Sequence, residues 1–157
     1  LGGSGKDWQQ EGCAAYKQMV SRLRTAGEMA KQEGIIIGIR TGMDAKFDKK
    51  LLKKVGSSQI KVYYNFQDAA DHHRDICKEL RKLGTQRIVQ IYASNTDSVN
   101  LQEDPEINLP KIRKTLDKMK WSGWLVVERS RDVKRVRDVK YNFGRNIAYL
   151  KQVFQER

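Results

Sequence analysis

The sequence predicts an α/β protein of parallel (β/α) units, about four strands and five helices in a single domain over residues 1–157. Three observations carry this. Short apolar runs rich in Ile and Val alternate with longer amphipathic segments, in the order one helix and then four strand–helix pairs. Gly34, Gly56, Gly84 and Gly123 stand where a helix must end before the next apolar run. Each apolar run stops abruptly in polar or charged residues. Four strands are half of what a closed (β/α) barrel needs, and the chain opens on a loop and a helix with no strand before them. The alternation alone fits either a small open sheet or half of such a barrel.

Taken in order, the opening Leu1-Gly2-Gly3-Ser4-Gly5-Lys6-Asp7 is a glycine-rich loop that lacks the P-loop spacing. It reads as a weak anion cradle or a plain linker. Residues 8–33 are expected to be helical, with Tyr16, Met19, Val20, Leu23, Ala26 and Ala30 on one face. A buried strand is expected over 35–39, ending in Arg40, Thr41 and Gly42. The segment 46–54 is an amphipathic helix with Phe47, Leu51 and Leu52 inward and lysines outward. A strand over 60–64 ends at Asn65, and a helix over 69–83 follows. The next strand, 87–93, runs into Ser94, Asn95 and Asp97. A polar loop through Pro105 leads to a helix over 110–120, where proline suits the first turn. The run Trp124-Leu125-Val126-Val127 then reads as a strand buried on both faces, and a last helix covers 143–154.

In parallel α/β folds ligands bind at the carboxyl ends of the strands. The residues there are Arg40, Asn65, Tyr92, Asn95, Glu128, Arg129 and Arg131, and Glu128 is the leading catalytic candidate. Two carboxyl-binding guanidiniums beside an acid suit a small anionic ligand. An alternative is an Arg40–Glu128 ion pair across the mouth with no ligand. His72 and His73 are neighbours on a helix and do not face the same way, so they read as surface residues. Trp8, Trp121 and Trp124 read as core and rim packing.

The charge is +12, from 31 Lys and Arg against 19 acids. It is dispersed along the chain, and a solvated basic surface explains it as well as an anionic partner does. No apolar run approaches a membrane span, and no secretory leader is visible. Cys13 and Cys77 fall in helix-like segments and read as reduced thiols, which favours the cytoplasm.

The runs Gly34-Ile35-Ile36-Ile37-Gly38-Ile39-Arg40-Thr41, Ile60-Lys61-Val62-Tyr63-Tyr64-Asn65-Phe66 and Arg87-Ile88-Val89-Gln90-Ile91-Tyr92 resemble strands five to seven of the xylose-isomerase-like barrels. The segment from Leu116 through Trp121-Ser122-Gly123-Trp124 to Arg129-Ser130-Arg131-Asp132 resembles the eighth strand and its lead-in. The likeness is to the sugar phosphate isomerase/epimerase branch, over the second half of the barrel. It implies a divalent metal on the barrel axis, held by Glu, Asp or His, His and Glu after strands five to eight. That metal polarises a sugar's oxygens while acids move a proton between adjacent carbons. The four positions here are Arg40, Asn65, Tyr92 and Glu128, with Asn95 at a following acid position, so only Glu128 keeps the implied ligand.

Two function classes follow. One is an isomerase/epimerase-like protein with a degraded metal site, acting on a phosphorylated or acidic sugar. The other is a non-catalytic relative that binds a small anion or a protein partner. Nucleic acid is the weaker third option, because the superfamily's endonuclease branch relies on a multi-metal cluster of His and acids that these residues do not supply. Half a barrel also exposes two sheet edges. Either an N-terminal half is missing from these 157 residues or two copies associate.

Overall fold

A computed structural model describes residues 10–155; Trp8 and the glycine-rich opening lie outside them. Helix α1 (Ala14–Gln32) precedes four strand–helix units: β1 (Ile37–Ile39) with α2 (Ala45–Val55), β2 (Ile60–Asn65) with α3 (Phe66–Ala70) and α4 (Ile76–Leu83), β3 (Ile88–Tyr92) with α5 (Leu109–Met119), and β4 (Trp124–Val126) with α6 (Val139–Phe154). The strands form one parallel sheet in the order β1-β2-β3-β4. This is the α/β class with the expected alternation.

The helices pack on one face of the sheet. There Ile39, Val62, Tyr64, Ile88, Ile91 and Ala93 meet Leu51, Val55, Leu80, Leu83, Ile112 and Leu116, all buried. Each such aliphatic side chain contributes about 1.5–3 kcal/mol by leaving water. The opposite face carries Gly38, Lys61, Tyr63, Gln90, Tyr92, Trp124 and Val126, paired across the ladders. In a barrel this face looks at the axis. A bulge between Val62 and Tyr63 shifts the register, so Val62 pairs with Ile88 while Tyr63 pairs with Gln90.

Four element boundaries differ from the sequence expectation. Helix α1 begins only at Ala14, because the Sγ of Cys13 caps it by accepting the N–H of Tyr16 at 3.3 Å. The strand expected over 35–39 is shortened: the Ile35 N–H closes the end of α1 on the Ala30 carbonyl (2.9 Å), with Gly34 at φ +67° in the turn. The helix expected over 69–83 is two helices. His73 turns left-handed at φ +51°, and Asp75 starts α4 afresh by accepting the Lys78 N–H at 2.9 Å. The last helix starts earlier, at Val139, capped by Asp138.

The β4 strand is not buried on both faces. Trp124 is 76% exposed and Leu125 and Val126 are half-buried, because β4 forms one edge of the sheet and β1 the other. A short apolar run marks a strand without revealing whether its neighbours on both sides are present.

Candidate functional site at the carboxyl ends of the strands

The parallel sheet delivers Arg40, Asn65, Tyr92 and Glu128 to one rim, but it does not give them one role. Arg40, at the end of β1, lies beside the Tyr92 ring, its guanidinium carbon 6.0 Å from the ring centroid. Tyr92 stacks flat on Tyr63, with centroids 4.0 Å apart and planes within 8°. The two tyrosines sit on the axial face because Tyr63 pairs with Gln90 and Asn65 with Tyr92 across the β2–β3 ladder. Burial first, and then the adjoining Tyr92 hydroxyl, push the Tyr63 phenol well above its ordinary range, so it stays a neutral hydroxyl.

Arg40 does not pair with Glu128. Its fork closes on Asp68 of α3, Nε to Oδ2 at 2.8 Å and Nη2 to Oδ1 at 2.6 Å. The Asp68 hydrogen bonds hold the guanidinium above its usual range, against the opposing effect of burial, and Glu128 adds a smaller attraction. Two of the three guanidinium nitrogens are thereby fixed, and Nη1 remains to meet a ligand. Asp68 had one sequence cue, an acid in the first turn of the helix that follows a strand end.

Glu128 is exposed, and its backbone is held by β3's loop. Ser94 Oγ accepts the N–H groups of Glu128 (2.8 Å) and Arg129 (3.3 Å). Arg129 and Arg131 both grip Asp97, at 2.9 and 2.6 Å from Oδ2. The hydrogen bond from Arg131, joined by that from Arg129, holds Asp97 below the ordinary carboxylate range despite partial burial. These two arginines therefore clamp the loops after β3 and β4 together, sharing one carboxylate between two guanidiniums.

Asn65 and Asn95 are buried and committed elsewhere. The Asn65 side chain accepts the Gln67 N–H at 2.8 Å and caps α3. Asn95 is 1% exposed; its amide nitrogen donates to Asp104 and Glu106, each at 3.0 Å. Its backbone N–H meets the Oγ of Ser130, a fully buried residue at φ +75°. The Ser130 carbonyl accepts from Asn100 and Asn146, so the two loops and α6 form one hydrogen-bonded block.

A second polar cluster sits beneath the rim, and composition did not disclose it. Glu79 of α4 accepts the Tyr64 hydroxyl and the Ala45 N–H, each at 3.1 Å, and lies 3.4 Å from Arg74 Nε. Arg74 also donates to the carbonyls of Asp68 (2.6 Å) and Gly42 (3.4 Å), tying the loops after β1 and β2 to α4. Asp48 of α2 accepts the Thr41 hydroxyl at 2.6 Å while 4% exposed. Burial raises its carboxyl to about 7, with Glu79 and Asp44 adding to the shift and Thr41 and Arg74 opposing it.

As donors for a divalent ion, the four strand-end positions offer an engaged guanidinium, a capping amide, a stacked phenol and one free carboxylate. Among the described residues no three of His, Cys, Asp and Glu converge. These side chains alone do not compose a divalent site, which needs several anionic or imidazole donors. His72 and His73 are exposed, and His72 Nδ1 lies 2.9 Å from the Asp68 carbonyl.

Comparisons with known proteins agree with the architecture. The chain superposes on L-ribulose 3-epimerase with a TM-score of 0.74 at 12% identity, covering 99% of this chain and 56% of that one. For 3-keto-D-glucoside 4-epimerase from E. coli the TM-score is 0.70 at 13% identity, covering 87% and 53%. For an AP endonuclease of family 2 from Brucella melitensis it is 0.66 at 16% identity, covering 86% and 57%. At such identities the likeness is one of fold, and the chain spans about half the length of these structures. No curated protein matches it. The profile of one family does match, over residues 1–153, and the chain belongs to that family, the xylose isomerase-like TIM barrels.

Proposed function

We propose that the chain is a sugar phosphate isomerase/epimerase-like protein whose metal site is degraded, and that it holds a phosphorylated or acidic sugar without a divalent ion. The observation that carries this reading is Arg40. It stands where the family resemblance implies a metal-binding glutamate, and it is fixed by Asp68 beside the stacked tyrosine pair. Asp68 answers much of the guanidinium's charge, but the Nη1 it leaves open can donate to the anionic end of a ligand. A flat phenol platform meets the apolar face of a sugar ring. Glu128, free of ion pairs among the described residues, faces the same mouth and is the group that would accept or return a proton. Family activity is weak or absent in this reading, because no metal polarises the carbonyl. The sugar epimerases among the structural neighbours support a sugar as the ligand, and its phosphate or acidic group is inferred from Arg40 alone. Cys13 and Cys77 are not joined in a disulfide, which supports a reducing, cytoplasmic setting.

Calorimetry with D-fructose 6-phosphate and with D-fructose tests the reading. The phosphorylated sugar should bind more tightly by at least an order of magnitude, lose that advantage in Arg40→Met, and be insensitive to EDTA. Equal binding of both sugars overturns the anionic ligand. Stoichiometric Mn, Mg or Zn that disappears in Glu128→Gln overturns the metal-free site.

A further inference from the structure

Basic residues that are scattered along the sequence converge at the amino ends of β2 and β3. There, at the opposite end of the strands from Arg40 and Glu128, lies an open cavity of about 550 Å³. Lys49 and Lys53 reach it from α2, Ser57 and Ser58 from the turn that follows, and Lys61 from the start of β2. Arg87 reaches it from the short helical turn Thr85–Arg87 before β3. Among the described residues no carboxylate and no aromatic ring lines the cavity. Lys50 also borders it but is paired with Glu11 at 2.8 Å. The other four cations belong to no ion pair among the described residues.

Cations gather at helix carboxyl ends to meet the last carbonyls, and α2 and α4 both end here. Those carbonyls, however, already have donors. Arg24 donates to the carbonyls of Lys54 at 2.8 Å and Val55 at 3.2 Å, and Arg87 Nη1 donates to that of Leu83 at 2.9 Å. Three ammonium groups and the rest of the Arg87 fork therefore repel one another across a concave surface. A cleft lined by one sign of charge focuses its field on an opposite ion. The Ser57 hydroxyl accepts the Gln59 N–H at 3.2 Å, which leaves its own hydrogen to donate.

We propose that this cavity binds a linear chain of phosphates, as a second ligand site independent of the mouth. Four cations from three elements outnumber the contacts a single phosphate or carboxylate can make, whereas a triphosphate carries charge along its whole length. The Arg87 fork suits the paired oxygens of one phosphate, and the lysines act as point charges on flexible stems. A nucleic acid strand is disfavoured, because no aromatic ring offers its bases a stacking platform. No carboxylate or histidine lines the cavity to serve as a base, so the phosphate chain is held there intact.

Calorimetric titration of the 157-residue chain with sodium tripolyphosphate, in the presence of EDTA, tests the proposal. One tripolyphosphate should bind per chain, more tightly than orthophosphate by on the order of tenfold or more, and more weakly as salt rises. The double variant Lys49→Gln/Lys53→Gln and the single variant Lys61→Gln should each lose on the order of tenfold in affinity. Lys49 and Lys53 are exposed, so their replacement should leave circular dichroism unchanged, and that pair decides the matter if Lys61→Gln misfolds. Lys114→Gln/Lys118→Gln removes the same charge from the exposed face of α5 and should bind as the parent does, as should Arg40→Met. An equal loss in the α5 variant overturns the site in favour of the diffuse field of the +12 chain. A loss confined to Arg40→Met puts the phosphates at the mouth and overturns it as well. So does the absence of binding, or ATP or a short single-stranded RNA binding more tightly than tripolyphosphate through the same lysines.

Discussion

The buried Asp48 makes the fold's stability depend on pH in a direction opposite to that of most carboxylates. Its carboxyl is 4% exposed, accepts one hydrogen bond from Thr41 at 2.6 Å, and titrates at about 7 because burial penalises the charge. The folded value lies above the unfolded one of about 3.9, so the native state holds the proton more tightly. The contribution of this group is therefore fully present below about pH 4, declines as pH rises toward 7, and is lost above that. Each pH unit between the two midpoints is worth about 1.4 kcal/mol, so ionising Asp48 inside the fold costs on the order of 4 kcal/mol. Asp48→Asn removes that cost. The amide keeps an oxygen for the Thr41 hydroxyl but adds two donors that need acceptors, so the expected gain at pH 8 is about 1–2 kcal/mol. Urea unfolding of parent and variant at several pH values between 4 and 8 measures the difference directly. The gap should widen with pH and vanish, or change sign, near pH 4. A difference that is flat across this range, or a variant less stable than the parent at pH 8, would refute the buried-charge argument.

Arg74→Met leaves the Glu79 carboxylate without its cation and two loop carbonyls without a donor, and should cost about 2–4 kcal/mol in a denaturation midpoint. A loss below half of that range would mean that Tyr64 and the Ala45 N–H suffice for Glu79. Ser94→Ala removes the acceptor shared by the Glu128 and Arg129 N–H groups and should destabilise by about 1–2 kcal/mol. Hydrogen exchange should speed up first at those two amides, and uniform exchange would count against a local role. Gly27→Ala forces a methyl to within 2.4 Å of Ser57 Oγ and 2.6 Å of its Cβ, where α1 lies against the turn before β2. A cost of about 1–3 kcal/mol is expected, read as a lower melting temperature, and an unchanged melting temperature would show that Ser57 yields freely.

Most of the architecture was legible because it is written in local periodicity. The glycines, the capping Asp44, Asp75 and Asn108, and the apolar runs locate the helices and strands without tertiary information. The misplaced boundaries had tertiary or cap-level causes: the thiol cap at Cys13, the closure of α1 on Ile35, and the left-handed His73 that splits α3 from α4. The rim was legible for the same reason, since strand ends follow from strand positions. Partner choice within it was not. Arg40 and Asp68 are 28 residues apart, and Ser94 and Glu128 are 34 apart. Nothing in the spacing says that a guanidinium will take the acid of α3 over the acid of β4.

By itself, the sequence determined the class of fold, the order of its elements, the direction of its strands and the residues carried to their ends. Each of these rests on patterns repeating within a few residues along the chain. Only the tertiary structure decided which of those residues face the mouth. It turned Asn65 into a helix cap and sank Asn95 into a loop latch, and it joined Arg129 and Arg131 on Asp97. It also left β4 at an open edge with Trp124 in solvent. Those outcomes depend on strand register, where the bulge at Val62 and Tyr63 sets Tyr63 beside Tyr92. They depend as well on which distant polar groups must satisfy one another once water is excluded.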